Sequence, residues 1–252
     1  MRSALPGVLL VAVVAGCVAC SGQGGSGGAS GSAPVSAAAV ATSPVAPPAA
    51  PERVSTPELE RALFEAVPAD DAVAAGAALA QGADLEARDA GGRTPLVAAT
   101  KVNAVNVARL LVEAGADVNA KDDLQDSAFL YAGAEGYDAI LELTLVHGAD
   151  VFATNRFGGT ALIPASEHAH VETVRTLIRS GVPVNHVNRP GWTALQEAVV
   201  YGDGSARYLD VIGQLLAAGA DPGIRDAKGR TALQNAESRD QRAVAALLDR
   251  GR

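Results

Sequence analysis

Thr94-Pro95-Leu96 and Gly115-Ala116-Asp117-Val118-Asn119-Ala120 are two halves of one phrase that recurs along the chain. Gly82, Gly115, Gly148 and Gly181 follow one another at intervals of 33 residues; Gly219 comes 38 later and Gly251 another 32. Gly82-Ala83-Asp84, Gly148-Ala149-Asp150 and Gly219-Ala220-Asp221 repeat the same opening tripeptide. Thr94, Ser127, Thr160, Thr193 and Thr231 keep step at 33, 33, 33 and 38. Two landmarks in one register mark a tandem array whose units bury their apolar faces against each other. In such an array function sits on the surface rather than in an enclosed pocket.

Local chemistry gives the unit its shape. Thr94 before Pro95 reads as a helix start, the hydroxyl capping the first turn and the proline occupying a position that needs no N–H. Thr160, Thr193 and Thr231, each followed by Ala-Leu, are expected to make the same start. Nine residues after the cap Asn103, Gly136 and Gly202 suit a left-handed turn, and Ala169 and Asp240 suit it less well. A second helix carries apolar residues at i, i+3 and i+4: Val107, Leu110, Leu111; Val174, Leu177, Ile178; Ile212, Leu215, Leu216; Val244, Leu247, Leu248. The landmark glycine ends it. The connections Asp89 to Gly92, Asn155 to Gly158, Asn188 to Gly191 and Asp226 to Gly229 have hairpin chemistry.

The period, Thr94-Pro95-Leu96 and Gly115 to Ala120 resemble the ankyrin repeat, over about residues 82–252. The resemblance implies an all-α solenoid of helix, turn, helix and protruding β-turn, with about five repeats. Ser55 to Ala83 fits an N-terminal cap, Ser55 and Glu58 being spaced as a capping box. Three departures stand out. The family's His after Thr-Pro-Leu is Val97, Leu130, Ile163, Gln196 or Gln234, which predicts loss of that polar network. Pro164 falls inside a first helix and predicts a local distortion there, and Gln125 replaces a hairpin glycine.

Residues 1–16 read as a signal peptide: Met1-Arg2 supplies the charge, and Ala4 to Ala15 an apolar run too short to span a membrane. Val14-Ala15-Gly16-Cys17 resembles a bacterial lipobox, with Cys17 as the lipidated residue; cleavage as an ordinary secretory peptide is the alternative. Residues 17–54 form a Gly/Ser/Ala/Pro tether that cannot build a core, and 55–252 the repeat domain. Such a coil holds a domain ~30–35 Å from its anchor. No Asp follows Cys17, so in a host with two membranes the outer one is favoured. The expected location is therefore outside the cytoplasm, anchored to the cell or outer membrane. Both cysteines, Cys17 and Cys20, lie ahead of the repeat domain, which leaves no disulfide framework, and the net charge of −8 argues against nucleic acid.

No catalytic set can be assembled. Gly24 to Gly31 is tether, and Gly223 to Thr231 falls on a hairpin with the wrong spacing for a phosphate loop. Asp122, Asp123 and Asp126 lack the order of a calcium loop and read as a solvated hairpin tip. His147, His168, His170 and His186 have no partners spaced to complete a metal site, so neither cofactor nor metal is expected.

The resemblance places the partner surface on the hairpin tips and the exposed side of the first helices. In this register that strip carries Leu124, Arg156, Phe157, His168, Arg189, Trp192, Tyr201 and Arg230. Aromatics beside Arg are common interface anchors, and the chain holds a single Trp and four each of Tyr and Phe. The alternative for Trp192 is packing along its own hairpin. Within Gly202 to Tyr208 the fourth repeat carries five extra residues, either a second contact or a neutral change of length. Val184 to Tyr208 resembles exported bacterial ankyrin proteins, some associated with periplasmic catalase. The implied function is a non-enzymatic scaffold for another envelope protein, with no small-molecule substrate, in one form supporting a catalase. The rivals are an immunity protein against a toxin or lytic enzyme and, less favoured, a hydrolase.

Overall fold

The computed structural model describes residues 56–250. The signal peptide, Cys17, the tether and Ser55 lie outside the described residues. Twelve helices follow in six consecutive pairs: α1 Thr56–Ala66 with α2 Ala72–Ala80, α3 Pro95–Lys101 with α4 Val105–Glu113, α5 Ala128–Glu135 with α6 Asp138–Val146, α7 Leu162–Glu167 with α8 Val171–Arg179, α9 Ala194–Tyr201 with α10 Ala206–Ala217, and α11 Ala232–Ser238 with α12 Arg242–Arg250. The odd-numbered helices stack on one another, and so do α2, α4, α6, α8, α10 and α12. The first pair is the cap and the next five are the repeats. No strand occurs among the described residues.

Burial follows the register. Leu96, Phe129, Leu162 and Leu195, each two residues after its Thr or Ser landmark, are closed to solvent, and Val107, Leu111, Ile140, Leu177, Ile212, Leu215 and Leu248 fill the outer layer. Thr94, Ser127, Thr193 and Thr231 accept a hydrogen bond from the backbone N–H three residues on. Five hairpins close alike: the N–H of Asp89, Asp122, Asn155, Asn188 and Asp226 donates to the carbonyl four residues later. In four of them a side-chain oxygen of that Asp or Asn accepts the N–H groups two and four residues on, with the bonds to Leu124 and Asp126 typical; Asn188 accepts only from Trp192 N, because position 190 is a proline. Neighbouring layers are tied as well. Asn119 accepts from Asp150 N and donates to the Gly148 carbonyl, and Asn185 does the same with Asp221 and Gly219.

The third repeat departs from the expected cap. The Thr160 hydroxyl is buried without a partner, and α7 begins only at Leu162. Pro164 has no N–H for the Thr160 carbonyl, so Ile163 N turns to that carbonyl at 3.2 Å and the first turn tightens. The predicted loss of the polar network holds for Val97, Leu130 and Ile163 but not for the glutamines. Gln196 and Gln234 complete capping boxes, and Gln196 Nε2 also reaches the Ile224 carbonyl of the next repeat.

Two turn expectations also change. Ala169 and Asp240 take the left-handed conformation, at φ 52° and 55°, despite their side chains. Gly202 does not: its φ is −68° and its ψ 151°. Its lack of a side chain serves a different need, because a methyl there would sit 2.2 Å from the Ala198 carbonyl oxygen and 2.8 Å from the Tyr208 ring.

The insertion folds back on the preceding repeat. Arg207 Nη2 donates to the carbonyls of His168 and Ala169, both at 3.0 Å, and Tyr208 Oη donates to the Glu167 carbonyl at 2.8 Å. These are carbonyls that the short helix α7 leaves open at its C-terminus. Arg207→Ala combined with Tyr208→Phe is expected to cost about 1–2 kcal/mol in urea unfolding. A variant as stable as the parent would reduce the loop to a tolerated length change.

Candidate protein-binding groove

Hairpin tips and inner helices together wall one recess of about 310 Å³. The hairpins supply Arg156, Phe157 and Pro190; α5 supplies Tyr131 and Glu135, α7 Pro164 and Glu167, and α9 Glu197, with His168 at the end of α7. Arg156 lies over the Phe157 ring, 4.7 Å from its centroid, with one guanidinium nitrogen 3.7 Å from Asp126. Phe157 is 51% exposed. Beside the recess, the Trp192 ring is half-buried and tilted against that of Tyr201, with centroids 6.0 Å apart. Tyr201 remains 59% exposed, so this pair covers part of its own repeat and still offers an aromatic surface.

Of the strip read from the sequence, Arg156, Phe157 and His168 converge on the recess, and Trp192 with Tyr201 forms a second group. The remaining three do other things. Arg189 binds the preceding hairpin, its N–H donating to the Phe157 carbonyl and its guanidinium to the Arg156 carbonyl. Arg230 turns onto Asp226 of its own hairpin at 3.5 Å. Leu124 is exposed at the tip of the second hairpin and is not among the residues that line the recess.

The acidic hairpin reading needs correction. Asp122 and Asp126 are buried, and Lys101 Nζ reaches them at 2.9 and 3.0 Å; Asp123 alone of the three is exposed. Burial alone would lower the Lys101 pKa, but the hydrogen bonds and charge of these two carboxylates raise it above the ordinary value. Lys101 also lies over the Tyr131 ring at 4.6 Å, joining the first repeat to the second.

The histidines are occupied by structure. His186 Nε2 pairs with the Gly158 carbonyl at 2.6 Å and His147 Nδ1 with the Leu143 carbonyl at 2.8 Å. His168 and His170 stack at 5.6 Å with planes 5° apart. Burial lowers the His170 pKa, and the neighbouring charges of His168 and Arg207 lower it further. Among the described residues no three His, Cys, Asp or Glu side chains converge as a metal would require.

Sequence reading missed Glu197. Only 7% exposed, it sits on the inner helix α9 and lines the recess. One carboxylate oxygen accepts from Asn188 Nδ2 at 3.2 Å; the other is buried with no hydrogen-bond partner. Burial pushes its carboxyl up to about 7, the Glu167 charge adds to the rise, and the Asn188 amide opposes it. In the sequence it is one more polar residue in Gln196-Glu197, and nothing local marks it as enclosed.

Comparison with known proteins agrees with this architecture. Residues 129–210 match the family described as ankyrin repeats (3 copies), and residues 91–123 match the single ankyrin repeat. An ankyrin repeat domain from Acinetobacter baumannii AYE is 52% identical, with a TM-score of 0.73, over 75% of this chain and 96% of that one. The ankyrin repeat protein EF0377, from Enterococcus, is 36% identical with a TM-score of 0.72, over 75% of this chain and 97% of its own. No curated protein matches the chain. Ankyrin arrays are protein–protein interaction scaffolds and typically non-catalytic. Sequence period, layered helix pairs and these relatives lead to one conclusion: the chain belongs to the ankyrin-repeat family.

Proposed function

We propose that this protein is an exported scaffold, anchored to the membrane through a lipid on Cys17, that captures another envelope protein in the groove between its hairpins and inner helices. The observation that carries this reading is the aromatic surface of exposed Phe157 and Tyr201 with half-buried Trp192, beside a recess walled by Arg156 and four acidic side chains. Large rigid rings next to Arg supply contact area at little entropic cost. The signal peptide of residues 1–16 and the tether of 17–54 supply export and reach. Support of an envelope enzyme such as a catalase is the specific form we favour, from the resemblance of Val184 to Tyr208 to exported ankyrin proteins.

Trp192→Ala combined with Tyr201→Ala removes the half-buried indole and the exposed tyrosine ring and leaves the buried leucines of the stack in place. We expect that double variant to lose partner capture from envelope extract by at least tenfold while helicity and melting stay near those of the parent. Capture indifferent to the pair would move the contact surface off this groove.

A further inference from the structure

The fourth and fifth repeats contain the same buried acid–amide pair with its members exchanged. In the fifth, Asp226 stands on the hairpin and Asn235 on the inner helix α11, joined at 3.0 Å. Asp226 is well supplied: it accepts the N–H groups of Lys228 and Arg230, and the Arg230 guanidinium lies 3.5 Å away. In the fourth, Asn188 takes the hairpin position and accepts the Trp192 N–H at 2.8 Å, while the acid, Glu197, has moved to the inner helix. The exchange leaves the hairpin bonds intact but strands the carboxylate. It has no counter-cation, and one of its oxygens has no hydrogen-bond partner.

Its surroundings are the floor of the recess. Glu135, Glu167 and Glu197 come from three successive inner helices and line one space. Among the described residues none of the three forms an ion pair. The cation on the same lining, Arg156, is directed to Asp126 and the Phe157 face. A buried acid with one unpaired oxygen and no counter-cation is costly, and an arriving cation with hydrogen-bond donors recovers that cost. The volume is at the small end for ligand pockets, enough for one extended side chain.

We propose that this recess is the receptor for a single basic side chain, a lysine or arginine projecting from the partner protein, with Glu197 and Glu167 as its counter-charges. The proposal rests on the groove reading above and specifies what enters it. Phe157 and Pro190 flank the aliphatic stem, and the Glu197 and Glu167 carboxylates that line the recess accept from the charged head. An arginine engages both oxygens of a carboxylate where a lysine meets it as a point charge, so the two are distinguishable.

The test uses the full chain and three small probes: Nα-acetyl-arginine amide, Nα-acetyl-lysine amide and, as the uncharged control, Nα-acetyl-norleucine amide. Each is titrated at neutral pH and low salt while backbone amide and Glu carboxyl NMR shifts are followed. Saturable shifts at Glu167, Asn188 and Glu197 with a basic probe are expected, and none with the control. Whichever basic probe binds tighter names the side chain. Glu197→Gln should weaken that binding at least tenfold, and Glu113→Gln, on the exposed side of α4, should leave it unchanged. Non-saturating shifts, equal binding of norleucine amide, or full affinity in Glu197→Gln each overturn the proposal. The Trp192 and Tyr201 variant separates the two ideas. If it loses capture and the probes fail, the recess falls and the groove stands. If the probes bind and capture is unaffected, the recess stands and the groove assignment falls.

Discussion

Glu197→Gln is expected to shift stability, relative to the parent, more favourably at pH 8 than at pH 5. The folded carboxyl titrates at about 7 against an ordinary 4.5, because burial and then the Glu167 charge disfavour its ionised form. Between those values the folded state holds a proton that the unfolded chain has released. This group's contribution is therefore most favourable below 4.5 and declines as pH rises through 7. Across pH 5 to 8 that linkage is worth about 2–3 kcal/mol. Glutamine keeps an acceptor for Asn188 Nδ2 and carries no charge, so its stability lacks this decline. Its buried amide costs something at every pH, which shifts both ends together and leaves the difference. Urea unfolding of both proteins at pH 5 and pH 8 measures it. Parallel pH profiles would mean that Glu197 is solvated in solution, and the recess would lose its stranded acid.

Phe129→Ala should cost about 3–5 kcal/mol and lower the melting temperature by on the order of 10 °C. Phe129 is closed to solvent at the register position where other repeats carry Leu96, Leu162 and Leu195. It lies on α5, which packs against α3 on one side and α7 on the other. Repeat arrays couple only through neighbouring layers, so a void here weakens two interfaces together. The cap and first repeat should then exchange amide hydrogens faster than α9 to α12. Uniform loss of protection along the chain would show that the array unfolds as one block, and a shift of only a degree or two would mean that the layer recloses over the void.

The repeat fold was legible because its signals are local. A Thr hydroxyl capping its own helix, a glycine admitting a left-handed turn and an Asx side chain closing its own hairpin each act within about five residues, and the 33-residue spacing multiplies them. The exceptions have local causes that a single motif could not weigh. At Thr160 the missing N–H of Pro164 redirects the first turn. At Gly202 the insertion removes the left-handed turn, and the glycine is required instead by the approach of Ala198 and Tyr208. The binding strip was partly legible, since exposed rings at known register positions can be projected onto a face. Arg189 and Arg230 read there as free contacts, yet hydrogen bonds to two carbonyls of the preceding hairpin hold the first and a charge on its own hairpin holds the second.

By itself the sequence determined the period, the helix pairs, the hairpins and the class of surface that an ankyrin array presents, because those follow from chemistry between near neighbours along the chain. Only the tertiary structure decided that Asp122 and Asp126 enclose Lys101, that the inserted loop braces α7, and that Glu197 is closed off facing Glu167. The physical reason is desolvation. What a charged side chain costs or offers depends on the atoms that exclude water from it, and here those atoms come from other layers of the stack.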